Sequence, residues 1–266
     1  MPELLVANLK LHYVDGGQGQ AVILIHELGG SALTWSHLSA TLVAEGFRAV
    51  APDLRGSGGS AVPAQPFSLA DLASDVVTLM NALRIADAYL IGLAAGGSIA
   101  LQVAATNPER VKAMVLIDTV ASVPESSASY TRRRAEAVLE KGMQVAVDES
   151  MSNSFPVSAT FDPEAATLYR ERYLQNDPRG YAWYSLALLA ADFRDTAGRL
   201  DIPALVLVGE HDRIFPPARV RELAEALPHA TYEVIPGAAH FPPLQAPDLV
   251  RDRVLSFLVR ERARPQ

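Results

Sequence analysis

Gly92-Leu93-Ala94-Ala95-Gly96 joins an apolar run, Ala88 to Ile91, to a stretch of helical character, Ala95 to Ala105. A strand-like run that gives way to a helix between two such glycines is the setting of the G-x-S-x-G nucleophile elbow, with alanine in the serine's position. An elbow of this kind holds its middle residue on a strained turn, so the middle side chain is presented and its neighbours must be small. Gly92, Ala95 and Gly96 meet the second demand. Ala94 gains nothing from the strain, because it has no atom to present. These residues point to a carbonyl-attacking serine hydrolase without its nucleophile.

The rhythm continues on both sides of the elbow. Val22–Ile25, Phe47–Ala51, Val111–Ile117, Ala204–Val208 and Thr231–Ile235 are short apolar runs of strand type. Helix-like stretches separate them: Thr34–Glu45, Leu69–Leu83, Ala218–Ala226 and Pro247–Arg260. Such alternation predicts a mostly parallel sheet covered by helices on both faces. Leu4–Ala7 and Leu11–Val14, split by Asn8, read as an antiparallel hairpin leading into it. The expected fold class is α/β, with eight strands.

One region breaks the alternation. Between Ser122 and Ala197 there is no good strand, only the helix-like pieces Arg132–Lys141, Met143–Met151, Glu164–Gln175 and Gly180–Ala191. Pro156, Asp162-Pro163 and Asn176-Asp177-Pro178 separate them. An insertion of this kind after the sixth strand reads as a lid over the sheet's C-terminal edge. The expected organisation is a core of residues 1–121 and 197–266 with a helical cap at 122–196.

Composition narrows the function. A hydrophobic fraction of 49% with 20% charged residues describes an ordinary globular chain with ample core. The formal charge of −7 argues against nucleic acid as a partner, because phosphate binding needs a basic surface. The chain has no cysteine, which excludes disulfides and thiol chemistry. The N-terminal residues lack the basic start and long apolar stretch of a signal peptide. The most apolar segment, Tyr89–Ala105, is interrupted by Gly92, Gly96, Gly97, Ser98 and Gln102, which argues against a membrane span. The expectation is a cytoplasmic protein, monomer or homodimer, that acts on a small molecule and needs no metal or cofactor.

An activated serine needs a base in hydrogen-bond reach and an acid to orient that base. After an elbow the acid comes first in the chain and the histidine second. Gly209-Glu210-His211-Asp212 follows the Ala204–Val208 run, and Gly237-Ala238-Ala239-His240 follows Thr231–Ile235. Both loops fall where open parallel sheets bind ligands, at the strands' C-terminal ends. His240 is assigned as base and Asp212 as acid. Asp118, at the end of the Val111–Ile117 run, competes for the acid's place, and Glu210 is a nearer neighbour of Asp212.

The developing oxyanion needs two backbone N–H donors. Ala95, next after the elbow residue, supplies one. Leu28 supplies the other, from His26-Glu27-Leu28-Gly29-Gly30, where the two glycines let the backbone approach a substrate. His26 reads as a structural hydrogen-bonder. Asp53 and Arg55, in Pro52-Asp53-Leu54-Arg55-Gly56, read as braces of a turn, since the segment lacks both a P-loop lysine and G-x-G-x-x-G spacing. Arg132, Arg133 and Arg134 form either a solvated helix face or a guide for an anionic substrate. Tyr181, Trp183 and Tyr184 supply rings to the lid, and Trp183 is assigned to the substrate cleft. Ile214 and Phe241, beside the acid and the base, are expected to wall it.

Taken together, the His26–Gly30 loop, Asp53-Leu54-Arg55-Gly56, the altered elbow, Gly209–Asp212 and Gly237–His240 resemble the α/β-hydrolase superfamily over nearly the whole chain. Within it, Asp177-Pro178-Arg179-Gly180-Tyr181 through Asp192-Phe193-Arg194-Asp195 resembles the lid of 3-oxoadipate enol-lactonases and related esterases. That resemblance implies hydrolysis of a small ester or lactone without metal or cofactor. Two departures stand out. Ala94 replaces the serine, and Glu27 stands where many relatives carry a small residue, which is expected to reshape the pocket entrance and contact substrate.

Three readings of the alanine follow. It marks a serine-to-alanine variant that traps substrate, a natural pseudoenzyme that binds a small molecule, or cofactor-independent proton abstraction by His240 and Asp212. The presence of Leu28, Ala95, Asp212 and His240 favours the first.

Overall fold

The computed structural model describes residues 3–6 and 9–264. Eight strands run through it: β1 Glu3–Val6, β2 Leu9–Gly17, β3 Ala21–Ile25, β4 Arg48–Pro52, β5 Ala88–Leu93, β6 Val111–Ile117, β7 Ala204–Gly209 and β8 Ala230–Ile235. They form one sheet in the order β1-β2-β4-β3-β5-β6-β7-β8. β1 pairs antiparallel with β2, and β2 antiparallel with β4, while every other pairing is parallel. The hairpin expected from the N-terminal runs is β1–β2, and its residues 7 and 8 lie outside the described residues.

The helices of the alternating part are α1 Ser36–Ala44, α2 Leu69–Ala82 and α3 Ala95–Thr106. The helices between β6 and β7 are α4 Glu125–Lys141, α5 Gln144–Ser154, α6 Pro163–Leu174, α7 Pro178–Ala187 and the single turn α8 Arg194–Ala197. The chain closes with α9 Pro217–Ala226, α10 Pro242–Gln245 and α11 Pro247–Arg262. Among the described residues no helix is long and apolar enough to cross a membrane.

β3, β5 and β7 are buried along their whole length because helices cover both faces of the sheet. Alternate residues serve the two sides. Ile23 and Ile25 pack with Leu72 and Val76 of α2 and Ile99 of α3, and Val22 and Leu24 pack with Leu42 of α1 and Val254 of α11. This is the period of two that a continuous apolar run cannot reveal by itself.

The Asp-Pro pairs, read in the sequence as separators, are helix starts. Asp162 accepts a hydrogen bond from Glu164 N, Asp177 accepts from Arg179 N and Gly180 N, and each is followed by proline in the first turn. The helical insertion leaves the sheet through a narrow neck. Ser122 bridges to Asp192, and Phe193 N donates to Ala121 O at 2.7 Å. Several contacts seat it back on the core. Asn176 Nδ2 donates to Gly29 O at 2.9 Å, and Tyr184 OH donates to His26 O at 3.3 Å. Gly180 meets Gly56 so closely that a β-carbon on either would strike the other's backbone.

Candidate active site

Strand register brings the loops together. Ile25 pairs with Gly92, Leu93 with Ile117, Ile117 with Leu207, and Gly209 with Ile235. The segments that follow β3, β5, β6, β7 and β8 therefore emerge side by side at one sheet edge, under the inserted helices.

Ala94 sits between β5 and α3 with φ 49° and ψ −110°. A positive φ is costly for a residue with a β-carbon, and the surroundings hold it there. Ala94 N donates to Ile117 O at 2.8 Å, and Gly97 N donates to Ala94 O at 3.0 Å. The strand and helix cross so tightly that a β-carbon at Gly92 would run into Gly96, and one at Gly96 would run into the carbonyl of Ile25. This is the physical content of the glycine pattern in the sequence.

His240 Nδ1 and Asp212 Oδ2 are 2.8 Å apart, and both side chains are buried. The other oxygen of Asp212 accepts from Ile214 N at 2.8 Å and Phe215 N at 3.0 Å, which fixes the carboxylate's plane. Phe215 and Phe241 flank the imidazole. Gln245 pins the histidine loop, its Oε1 accepting from Ala239 N at 2.8 Å and from Phe241 N at 3.2 Å while its Nε2 donates to Ser154 O at 2.8 Å. Nothing in the sequence singled out Gln245, because a glutamine after two prolines has no pattern of its own.

Asp118 is the third member of this cluster. One potential ligand atom from each of Asp118, Asp212 and His240 lies within 4.8 Å of the others. The imidazole's hydrogen bond goes to Asp212, whereas Asp118 Oδ1 accepts from Gly209 N at 2.9 Å and its Oδ2 has no partner. Burial, and then the neighbouring Asp212 charge, push the Asp118 carboxyl well above the usual carboxylate range. A proton held there stops two carboxylates from repelling each other in a dry site. Glu210 is turned elsewhere and accepts from Gly237 N at 2.9 Å.

In the loop after β3, His26 is structural. Its Nδ1 lies 2.7 Å from Glu27 O, and its Nε2 accepts from Leu54 N at 3.0 Å. Asp53 braces the neighbouring loops, accepting from Ala32 N and Gly59 N, while Arg55 ties its loop to α2 through Asp75. Among the described residues, no hydrogen bond of the loops or caps uses the N–H of Leu28 or of Ala95. Both residues line the cavity described below.

Glu27 lines the cavity described below, but it is almost wholly buried. It is 1% exposed, packed over Gly30, with Oε1 accepting from Thr34 Oγ1 at 3.0 Å and Oε2 unpaired. Burial pushes its carboxyl from 4.5 up to about 7. Between those values the folded chain holds a proton that the unfolded chain has released, so stability at Glu27 falls as the pH rises through this window. Denaturant unfolding should show Glu27→Gln gaining on the parent from about pH 4.5 to about pH 7, by on the order of 3 kcal/mol. A stability difference that stays flat across that range would mean the carboxyl is ionised throughout.

Glu27, Leu28, Ala94, Ala95 and His240 border one cavity of about 260 Å³, closed on its far side by the inserted helices. Ile214 and Phe241 line it as expected. Trp183 does not, which corrects its assignment to the cleft. Its ring packs edge-on against Phe67 and under Arg179, while Tyr181 and Ser185, two residues to either side, face the cavity. Two residues along a helix turn the side chain about 200° away, so all three cannot share a face.

Of the three consecutive arginines, Arg134 alone borders this cavity. Its Nη1 donates to Tyr130 OH at 3.0 Å, and Nη2 donates to Ser150 Oγ and Tyr173 OH at 2.8 Å each. Nε is buried and unpaired, and among the described residues Arg134 makes no ion pair with a carboxylate.

Residues 20–247 match the family model of the alpha/beta hydrolase fold, and the chain belongs to that family. Its relatives include lactonases and esterases. 3-Oxoadipate enol-lactonase 2 of Acinetobacter baylyi is 28% identical over 97% of this chain and 96% of its own. The enol-lactonase of Burkholderia xenovorans superimposes with a TM-score of 0.89 at 29% identity, covering 97% of this chain and all of that one (100%). A malate-bound esterase of Thermogutta terrifontis gives 0.91 at 29% identity, covering 98% of each chain.

Proposed function

We propose that this cavity is the active site of a carboxylic-ester or lactone hydrolase of the Ser-His-Asp type, with Ala94 at the serine's position. The observation that carries the reading is the buried Asp212–His240 hydrogen bond beside a cavity that also exposes the strained residue 94. Asp212 holds the imidazole in one tautomer, leaving Nε2 to take a proton from a hydroxyl at 94. The N–H groups of Leu28 and Ala95 receive the oxyanion that forms when that hydroxyl attacks. His240 then returns its proton to the leaving oxygen, and water repeats the sequence on the acyl-enzyme.

Residues 122–196 act as the cap, and Tyr181, Ile214 and Phe241 shape the apolar part of the site. The substrate is a small molecule, and no step of this sequence draws on a metal or cofactor. Arg134 meets a negative charge on the substrate, since it is a cavity cation with no carboxylate of its own. In the Ala94→Ser background, Arg134→Met should lower kcat/KM for a carboxylate-bearing ester by about 10- to 100-fold and leave its neutral analogue near the parent value. An equal loss on both esters would make Arg134 a packing residue. The deciding experiment is to give position 94 a hydroxyl, after which hydrolysis should appear. A serine variant that binds such compounds but cleaves none sinks the proposal.

A further inference from the structure

The seam between the inserted helices and the core holds a second cavity of about 340 Å³, which shares no lining residue with the one that holds His240. Its walls are the loops after β3 and β4, His12 of β2, and Arg172 of α6. We propose that this cavity is a binding site for an anionic small molecule, whose phosphate or carboxylate group sits between Arg172, His12 and free backbone N–H groups. The proposal is independent of ester or lactone hydrolysis.

Unspent donors carry it. Arg170 and Arg179, near Arg172 in the chain, pair with Asp148 and Asp177. Among the described residues the Arg172 side chain makes neither a hydrogen bond nor an ion pair, and only its backbone carbonyl is used, by Asn176. Arg172 also borders a smaller hollow of about 60 Å³ along the same Gly29–Ser31 stretch, so its side chain lies beside that loop. Glu27 is not its counter-ion. Burial raises the Glu27 carboxyl, Arg172 lowers it only weakly, and its hydrogen bond comes from Thr34. An arginine fork without a carboxylate is suited to the paired oxygens of a phosphate or carboxylate.

Asp53, the acid on the wall, does not compete for that fork. Its Oδ1 accepts from Ala32 N at 2.7 Å, and its Oδ2 accepts from Gly59 N at 2.8 Å and lies 2.7 Å from His12 Nδ1. Asp53 and Gly59 cover the Nδ1 and Cγ side of the His12 ring, which turns the Nε2 side to the cavity. Among the described residues no hydrogen bond uses Nε2, or the backbone N–H of Gly29, Ser31 or Gly58, all three on the cavity wall. N–H groups gathered from turns form a concave, partly positive surface that holds anions.

A bound anion would join α6 to the core loops across the seam that Asn176 Nδ2 already crosses to Gly29 O. Binding to the folded chain alone stabilises it.

Thermal unfolding of the chain in inorganic phosphate, in acetate and in sodium chloride of equal ionic strength tests the proposal. Phosphate or acetate at about 20 mM should raise Tm by about 2–5 °C over chloride. Arg172→Met should abolish the rise, and Arg134→Met, in the other cavity, should keep it. A rise with phosphate alone assigns a phosphoryl ligand, and a rise with acetate alone assigns a carboxylate. If Arg172→Met does not fold, NMR of the parent decides. The His12 ring signals should move as either anion is added, while those of His229, paired with Asp201, stay in place. The proposal is overturned if neither anion raises Tm above chloride, or if Arg172→Met responds as the parent does. Loss of the response in Arg134→Met, or His12 signals that do not move, overturns it equally.

Discussion

Ala94→Ser is expected to raise turnover of p-nitrophenyl acetate, or of a small lactone, about a million-fold over the parent chain. The size of the effect follows from what is already in place. The backbone at 94 occupies the strained conformation, with φ 49°, and its N–H and C=O are both bonded, so a hydroxyl there would be held without rebuilding the turn. The Asp212–His240 pair is already made and buried. Loss of the nucleophile alone costs about as much as loss of the whole triad, because the three groups act as a unit. A hydroxyl at 94 should therefore supply nearly all of the rate that a complete triad gives. A rise of less than about a hundredfold on a panel of aryl esters and lactones, with the fold intact by circular dichroism, would mean that His240 does not reach the hydroxyl.

In that serine background the two buried aspartates should separate sharply. Asp212→Asn should lower kcat by about 10⁴-fold, while Asp118→Asn should cost less than about tenfold. The asparagine amide at 212 would face Nδ1 with hydrogens, forcing the proton onto Nε2, where it blocks the base. At 118 the amide oxygen can still accept from Gly209 N, and asparagine tolerates the positive φ of 47° found there. Because burial raises the Asp118 carboxyl, its folded form keeps a proton to higher pH than the unfolded form does. Asp118→Asn should therefore gain stability on the parent as the pH rises above the usual carboxylate range. If the two kcat effects were reversed, Asp118 would be the acid and Asp212 its support.

Much of this is legible in the amino-acid sequence alone. Gly92 and Gly96 announce a crossing of strand and helix, since no other side chain fits between those backbones. Gly209–Asp212 and Gly237–His240 were legible as strand-end loops because the apolar runs before them end so abruptly. The paired carboxyls were not. Asp118 and Asp212 come from different strand ends, and only the pairing of β6 with β7 shows that one bonds the imidazole and the other bonds Gly209 N. Trp183 was misread for a related reason. An aromatic cluster on a helix does not state which ring faces inward, and the cavity took Tyr181 and Ser185 instead.

The amino-acid order by itself determined the architecture, the tight strand–helix turn at Ala94 and the strand-end loops that carry Asp212 and His240, because strand and helix periods, caps and glycine demands are local and act wherever the residues stand. The folded structure alone decided that Glu27 is buried, that Arg134 and not its two neighbours borders the cavity, and that the Asp118 carboxyl is raised beside Asp212. Each of those depends on burial and on distances between residues far apart in the chain, and these exist only once the helices have closed over the sheet.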